Sequence, residues 1–105
     1  KEDFSYIFRN GSFLNCNSFT INYAKKSKAS STNSPRFGII ASKKVGNAVQ
    51  RNFAKRRTKA LKNIFLSCGK NEFDYILVAK KNLLNENFKI LSFQLEQTLN
   101  KIKTL

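Results

Sequence analysis

Residues 36–62, RFGIIASKKVGNAVQRNFAKRRTKALK, read as a strand, a tight turn and the start of a helix. The run RFGIIAS (36–42) is a short apolar stretch of strand type. Ser42-Lys43-Lys44-Val45-Gly46-Asn47 is the turn, where Gly46 permits a close backbone approach. From about Asn47 a helix is expected to run to Ser67, stopped by Gly69. Residues 73–80 (FDYILVAK) follow as a nearly continuous apolar run, the pattern of a strand buried on both faces. The region is therefore β-α-β.

The helix carries the chemistry. Residues 42–62 contain eight Lys and Arg, and no acidic residue occurs between Lys43 and Ser67. Projected at about 100° per residue, Arg51, Lys55, Lys59 and Lys62 fall on one stripe, with Asn52 and Arg56 on its flank. Val49, Phe53, Ala60, Leu61 and Ile64 fall opposite and are expected to face the sheet. Arg57 interrupts that apolar arc. An exposed helix face ordinarily mixes signs to gain i,i+4 pairs. This one forgoes them and accumulates repulsion, which an anionic partner would relieve. Lys43, Lys44 and Asn47 bring further polar groups to the helix amino end, where free N–H groups can bind a phosphate.

Working outward, residues 2–9 place Phe4, Ile7 and Phe8 on one helical face, closed by Asn10-Gly11 with Gly11 as a left-handed cap. Residues 12–16 form a short strand. In residues 18–24, Phe19, Ile21 and Tyr23 alternate with Thr20 and Asn22, again a strand. Residues 25–36, rich in Ser and Lys, read as a flexible loop. Residues 85–103 repeat Phe88, Leu91, Leu95, Leu99 and Ile102 at helical spacing, with Asn85 or Asn87 as N-cap. The order is α-β-β-β-α-β-α, an α+β two-layer sandwich in which helices pack a four-stranded sheet. The 105 residues are expected to form a single domain.

The net charge of +14 makes nucleic acid the first candidate partner. No apolar run approaches the roughly 20 residues that span a bilayer. Residues 1–10 lack an apolar signal core, and no membrane partner is expected. The chain contains no Met, so an initiator is expected ahead of Lys1. Cys16 and Cys68 are far apart and read as reduced cytoplasmic thiols. Protein-based hydrolysis needs a general base or clustered carboxylates. There is no His, and the six acids, Glu2, Asp3, Glu72, Asp74, Glu86 and Glu96, are scattered. An autonomous nuclease and a zinc site are both disfavoured. A ribosomal or general RNA-binding protein is an alternative of the same charge class.

SKKVGNAVQRN followed by AKR resembles the signature of the protein subunit of bacterial ribonuclease P. Asp3-Phe4 with Phe8 and Gly11, and Phe73-Asp74-Tyr75 through Ala79-Lys80, extend the resemblance over nearly the whole chain. Phe53 stands where the family usually has a basic residue, and Lys59-Ala60 replaces an Arg-Glu pair. Arg57 and Thr58 fill aliphatic positions, and Asn22 stands in place of a strand aromatic, with Tyr23 beside it. The resemblance implies a left-handed β-α-β crossover, where general rules favour the right-handed one. It implies a partner RNA that holds catalytic Mg²⁺ and removes the 5′ leader of precursor tRNA, with no catalytic residue and no assigned metal ligand in this chain. It implies a monomer in a 1:1 protein–RNA complex. Lys43, Lys44, Asn47, Arg51, Asn52, Lys55, Arg56, Lys59 and Lys62 would bind RNA. The leader would lie in a cleft between the central helix and the sheet, with Phe4, Phe8 and Tyr23 as stacking aromatics.

Overall fold

Phe73–Ala79 is the strand around which the sheet is built. In the computed structural model, which describes residues 5–26 and 36–102, the order is α1 (Ser5–Asn10), β1 (Ser12–Asn15), β2 (Phe19–Lys25), β3 (Arg36–Ile40), α2 (Ala48–Lys59), α3 (Lys62–Cys68), β4 (Phe73–Ala79), a 3₁₀ turn (Lys81–Leu84) and α4 (Phe88–Lys101). The sheet order is β1-β2-β4-β3. β2 pairs antiparallel with β1 and β4, whereas β3 pairs parallel with β4. The α+β class and the four-stranded sheet stand as expected, and β3-α2-α3-β4 is the crossover joining the parallel neighbours.

Strand alternation divides the apolar residues between two faces. Phe73, Tyr75, Leu77 and Ala79 of β4 join Phe19 and Ile21 of β2 in the main core. α2, α3 and α4 cover it with Ala54, Leu61, Phe65, Leu91, Leu95 and Leu99. Burying each such Leu contributes about 1.5–3 kcal/mol. Phe65 stacks on Phe37 of β3, centroids 4.4 Å apart. The opposite face carries a smaller cluster, Ile7 of α1 on Ala24 and Ile76. The helices therefore sit on both sides, with α1 alone on the second face among the described residues.

Some expectations need correction. The single helix over 47–67 is two. Leu61 N–H bonds to Thr58 O (2.9 Å) in place of the residue four back, and Ile64 N–H restarts on Leu61 O (2.9 Å). No Gly or Pro marks the break; it turns both Leu61 and Phe65 into the core. Phe8 leaves the buried face of α1 and is 51% exposed, while Phe4 lies outside the described residues. Gly11 has no positive φ. Its reason is close approach, since a Cβ there would lie 2.2 Å from the Tyr23 carbonyl oxygen and 2.5 Å from that of Ile7. Of the expected loop 25–36, Lys25 ends β2 and Arg36 opens β3, and 27–35 lie outside the described residues. Asn87 is the cap of α4, its Oδ1 accepting from Lys89 N at 2.8 Å. Cys16 and Cys68 are free.

Candidate nucleic-acid interface

The turn between β3 and α2 is held by one core anchor and by hydrogen bonds within its own segment. Val45 is fully buried and pins the turn to the core. Asn47 and Gln50 form a reciprocal capping box. Asn47 Oδ1 accepts from Gln50 N, and Gln50 Oε1 accepts from Asn47 N, both at 2.9 Å. Gly46 has φ +152°, and a Cβ there would come within 2.0 Å of Gln50 Oε1. Gly46→Ala is thus expected to cost about 1–3 kcal/mol through strain and loss of the cap. Thermal denaturation of the variant checks it, and an unshifted midpoint would contradict the strained turn. Asn47 has an assigned structural task, though its side chain stays exposed. Lys43 and Lys44 are exposed on the turn. The N–H groups of Ala48 and Val49 have no carbonyl of their own helix to reach.

The sequence projection of α2 is rotated from the observed one. Its buried positions are Ala54 and Thr58, flanked by half-buried Arg51 and Arg57. Val49 is 74% exposed, and Phe53 is also exposed. The projection failed because it pooled Leu61 and Ile64 with α2, although they lie beyond the break and belong to α3 packing. Thr58 is tolerated inside because its Oγ1 donates to Ala54 O (2.8 Å). Arg51 turns partly inward, with Nη1 3.4 Å from Gly46 O. It therefore braces the turn as well as facing the surface. Arg57, the residue out of pattern, is an anchor. Its Nη2 donates to the carbonyl of Glu86, tying α2 to the segment before α4. Its guanidinium lies 5.4 Å from the Phe53 ring centroid, and that of Arg56 lies 5.9 Å away.

Asn52, Lys55, Arg56, Lys59 and Lys62 are exposed, as expected. Among the described residues, none of the basic side chains from Lys43 to Lys62 is ion-paired; the paired carboxylate is that of Asp74, on Arg36. The result is a surface of cations displayed along the turn and α2. An open groove of about 440 Å³ lies between the end of α2 and β3, lined by Phe37, Ile39, Lys59 and Lys62.

The aromatics divide differently from the expectation. Tyr23 lies opposite Tyr75 in register and packs edge-on against Phe73 (5.6 Å), on the main-core side of the sheet. It does not share a face with α1 and Phe8. It lines a separate groove of about 570 Å³ with Asn10, Gly11, Lys25 and Lys101. Sequence reading missed Phe13, 61% exposed on β1. Its signal was the strand alternation of β1, which put Leu14 inside and Phe13 out. It also missed the fixture under α1. Arg36 Nε and Nη2 donate to Asp74 Oδ1 and Oδ2 at 3.0 and 2.6 Å, and Tyr6 Oη donates to Oδ2. Burial pushes the Tyr6 phenol up to about 12, reinforced by the Asp74 carboxylate. Burial also opposes ionisation of Asp74, but the hydrogen bonds from Arg36 and Tyr6 and the nearby positive charge outweigh it and hold the carboxyl below its ordinary range. Among the described residues, no three His, Cys, Asp or Glu side chains gather to hold a metal ion.

Comparison with known proteins agrees with the geometry. The profile of the family described as Ribonuclease P matches residues 1–103. The "Ribonuclease P protein component" of a Nitratiruptor species is 36% identical over 98% of this chain and 88% of its own length. That of Carboxydothermus hydrogenoformans is 33% identical over 99% of this chain and 85% of its own. Among solved structures, the RNase P protein from Thermotoga maritima shares the fold at a TM-score of 0.81 and 24% identity, over 98% of this chain and 94% of that one. The Staphylococcus aureus RNase P protein gives 0.76 and 25%, over 96% and 91%. With the capped basic helix, the parallel β3–β4 pair and a match from Lys1 to Lys103, the chain belongs to the ribonuclease P protein family.

Proposed function

We propose that this chain is the protein subunit of a bacterial ribonuclease P, binding the catalytic RNA and the 5′ leader of precursor tRNA while the RNA performs the hydrolysis. The observation that carries the reading is the cation surface of the turn and α2. Lys43, Lys44, Lys55, Arg56, Lys59 and Lys62 are exposed, with no carboxylate paired to them among the described residues. Phosphates repeating along RNA would supply the missing counter-charge. Arg offers forked contacts and Lys point charges, so the surface suits backbone more than base recognition. Mg²⁺ would be held by the RNA and serve the cleavage there. The complex would be one protein to one RNA, in the cytoplasm.

The test is maturation of a precursor tRNA by a bacterial catalytic RNA at low Mg²⁺, with and without this protein. Stimulation is expected. Lys55→Ala and Arg51→Ala should each weaken binding to the catalytic RNA by about 1–3 kcal/mol, the range for charged contacts left unmade. Lys55→Ala should leave stability unchanged, whereas Arg51→Ala should also loosen the turn it braces. Tight RNA binding without stimulation would instead favour a general RNA-binding protein.

A further inference from the structure

The outward face of α2 is not uniformly cationic. Projected at about 100° per residue, Val49 and Arg56 point almost directly away from buried Ala54 and Thr58, with Phe53 on one side of them and Asn52 on the other. Lys59 and Lys55 follow beyond Asn52, and Arg57 beyond Phe53. Val49 is 74% and Phe53 36% exposed, and the two stand one helical turn apart. Lone exposed apolar residues are ordinary. Here a pair of them occupies the middle of a charged surface, in a stretch without a single acid from Lys44 to Leu66. Phe53 also stands where the family resemblance leads to a cation.

Phosphates have no use for this pair. Val and Phe pressed onto an RNA backbone would strip water from the phosphate oxygens and return neither charge nor hydrogen bond. A nucleobase is different. It stacks on an aromatic ring or a guanidinium plane, wherever it is released from its own helix. The guanidinium carbons of Arg57 and Arg56 lie 5.4 and 5.9 Å from the Phe53 ring centroid, and Arg57 is itself anchored on the Glu86 carbonyl. The ring is thus steadied by cations. A stacking surface, an exposed amide at Asn52 to meet a base edge, and Lys55 and Lys59 to hold the adjoining phosphates are the parts that one unstacked nucleotide needs. A protein seated here would have to answer the same cations with carboxylates, whereas RNA carries the counter-charge in every nucleotide.

Resting on the subunit reading, we infer that α2 receives an unpaired nucleotide of the catalytic RNA, from a bulge or an internal loop, whose base stacks against Phe53 and covers Val49. The helix then recognises a shape in its RNA as well as a charge. Duplex RNA has no free base to offer and leaves the centre of the face unfilled.

The catalytic RNA of this chain's own organism would be titrated with the protein in the absence of precursor tRNA, so that leader contacts play no part. Phe53→Ala is expected to weaken binding about tenfold, the scale of one lost base–aromatic stack. The slope of log affinity against log salt should stay as in the parent, because no phosphate contact is lost. Phe53→Tyr should bind as the parent does. The chain contains no Trp, so Phe53→Trp supplies a single indole, whose emission should be quenched by the catalytic RNA and left bright by a plain RNA duplex. Unchanged affinity of Phe53→Ala, or equal quenching by the duplex, would overturn the inference. An altered salt slope would do so too, since Phe53 would then act only through the cations it positions. So would self-association of the parent that Phe53→Ala abolishes, because the pair would then join two copies. Failure of the unaltered protein to bind or stimulate the RNA would instead remove the subunit reading beneath it.

Discussion

Asp74→Ala is expected to lower the free energy of unfolding by about 3 kcal/mol, near the bottom of the range for removing one partner of a buried ion pair. Asp74 is fully buried, while the Arg36 side chain keeps 20% of its surface in contact with solvent, so the orphaned guanidinium can be partly rehydrated. The loss is still large because one carboxylate serves three segments: Arg36 at the start of β3, Tyr6 on α1 and β4 itself. Urea denaturation measures it, and the thermal midpoint should fall by roughly 15 °C in a domain of this size. A variant within about 0.5 kcal/mol of the parent would mean the fork contributes little. The effect has a pH signature. Asp74 is held below its ordinary carboxyl value on folding, so its contribution is present above the unfolded value and is lost as pH falls through the lower folded one. The difference between parent and variant should therefore be full at pH 7 and shrink in acid. Tyr6 behaves oppositely. Its phenol is raised to about 12, so its contribution is full below pH ~10 and is lost as pH climbs through the folded value.

Affinity for the catalytic RNA should fall about a thousandfold between 50 and 200 mM monovalent salt. Counterion release gives that loss for roughly six neutralised phosphates. The count follows from the exposed cations Lys43, Lys44, Lys55, Arg56, Lys59 and Lys62, each without an ion pair to break first among the described residues. Titration across the salt series reads the slope directly, and Lys55→Ala should reduce it by about one. A flat response would mean that charge does not drive the association. The exposed Phe53 beside Arg56 and Arg57 adds a component that salt does not screen, so binding should persist weakly at the top of the range.

Strands and caps were legible because their signals are local. The apolar run at 73–79 announced a strand, and Asn87, one of the two Asn offered as N-cap, does cap α4; Asn47 was read only as the start of its helix, and the structure makes it the cap. The basic surface was legible as charge, since the cations outnumber every candidate partner. The rotation of α2 was not. It depends on a break at Ala60–Leu61 that no residue type marks and that arises from burying Leu61 and Phe65 together. Arg57 was out of pattern in the sequence, but its carbonyl partner is 29 residues away, beyond any periodicity. Phe13 and Tyr23 turned on strand register. A shift of one residue exchanges faces, and only the pairing of β1 with β2 decides which aromatic looks outward.

The central place of β4 has a consequence for how the chain is made. β4 bonds to β2 on one side and β3 on the other, so apart from the β1–β2 hairpin no strand has its neighbour until Phe73–Ala79 leaves the ribosome. At about 5–20 residues per second, β2 waits several seconds for its partner, and the whole basic stretch from Lys43 to Lys62 is synthesised within that interval. The nascent chain thus presents its positive charge, in a compartment crowded with RNA, before it has a sheet to hold that charge in place.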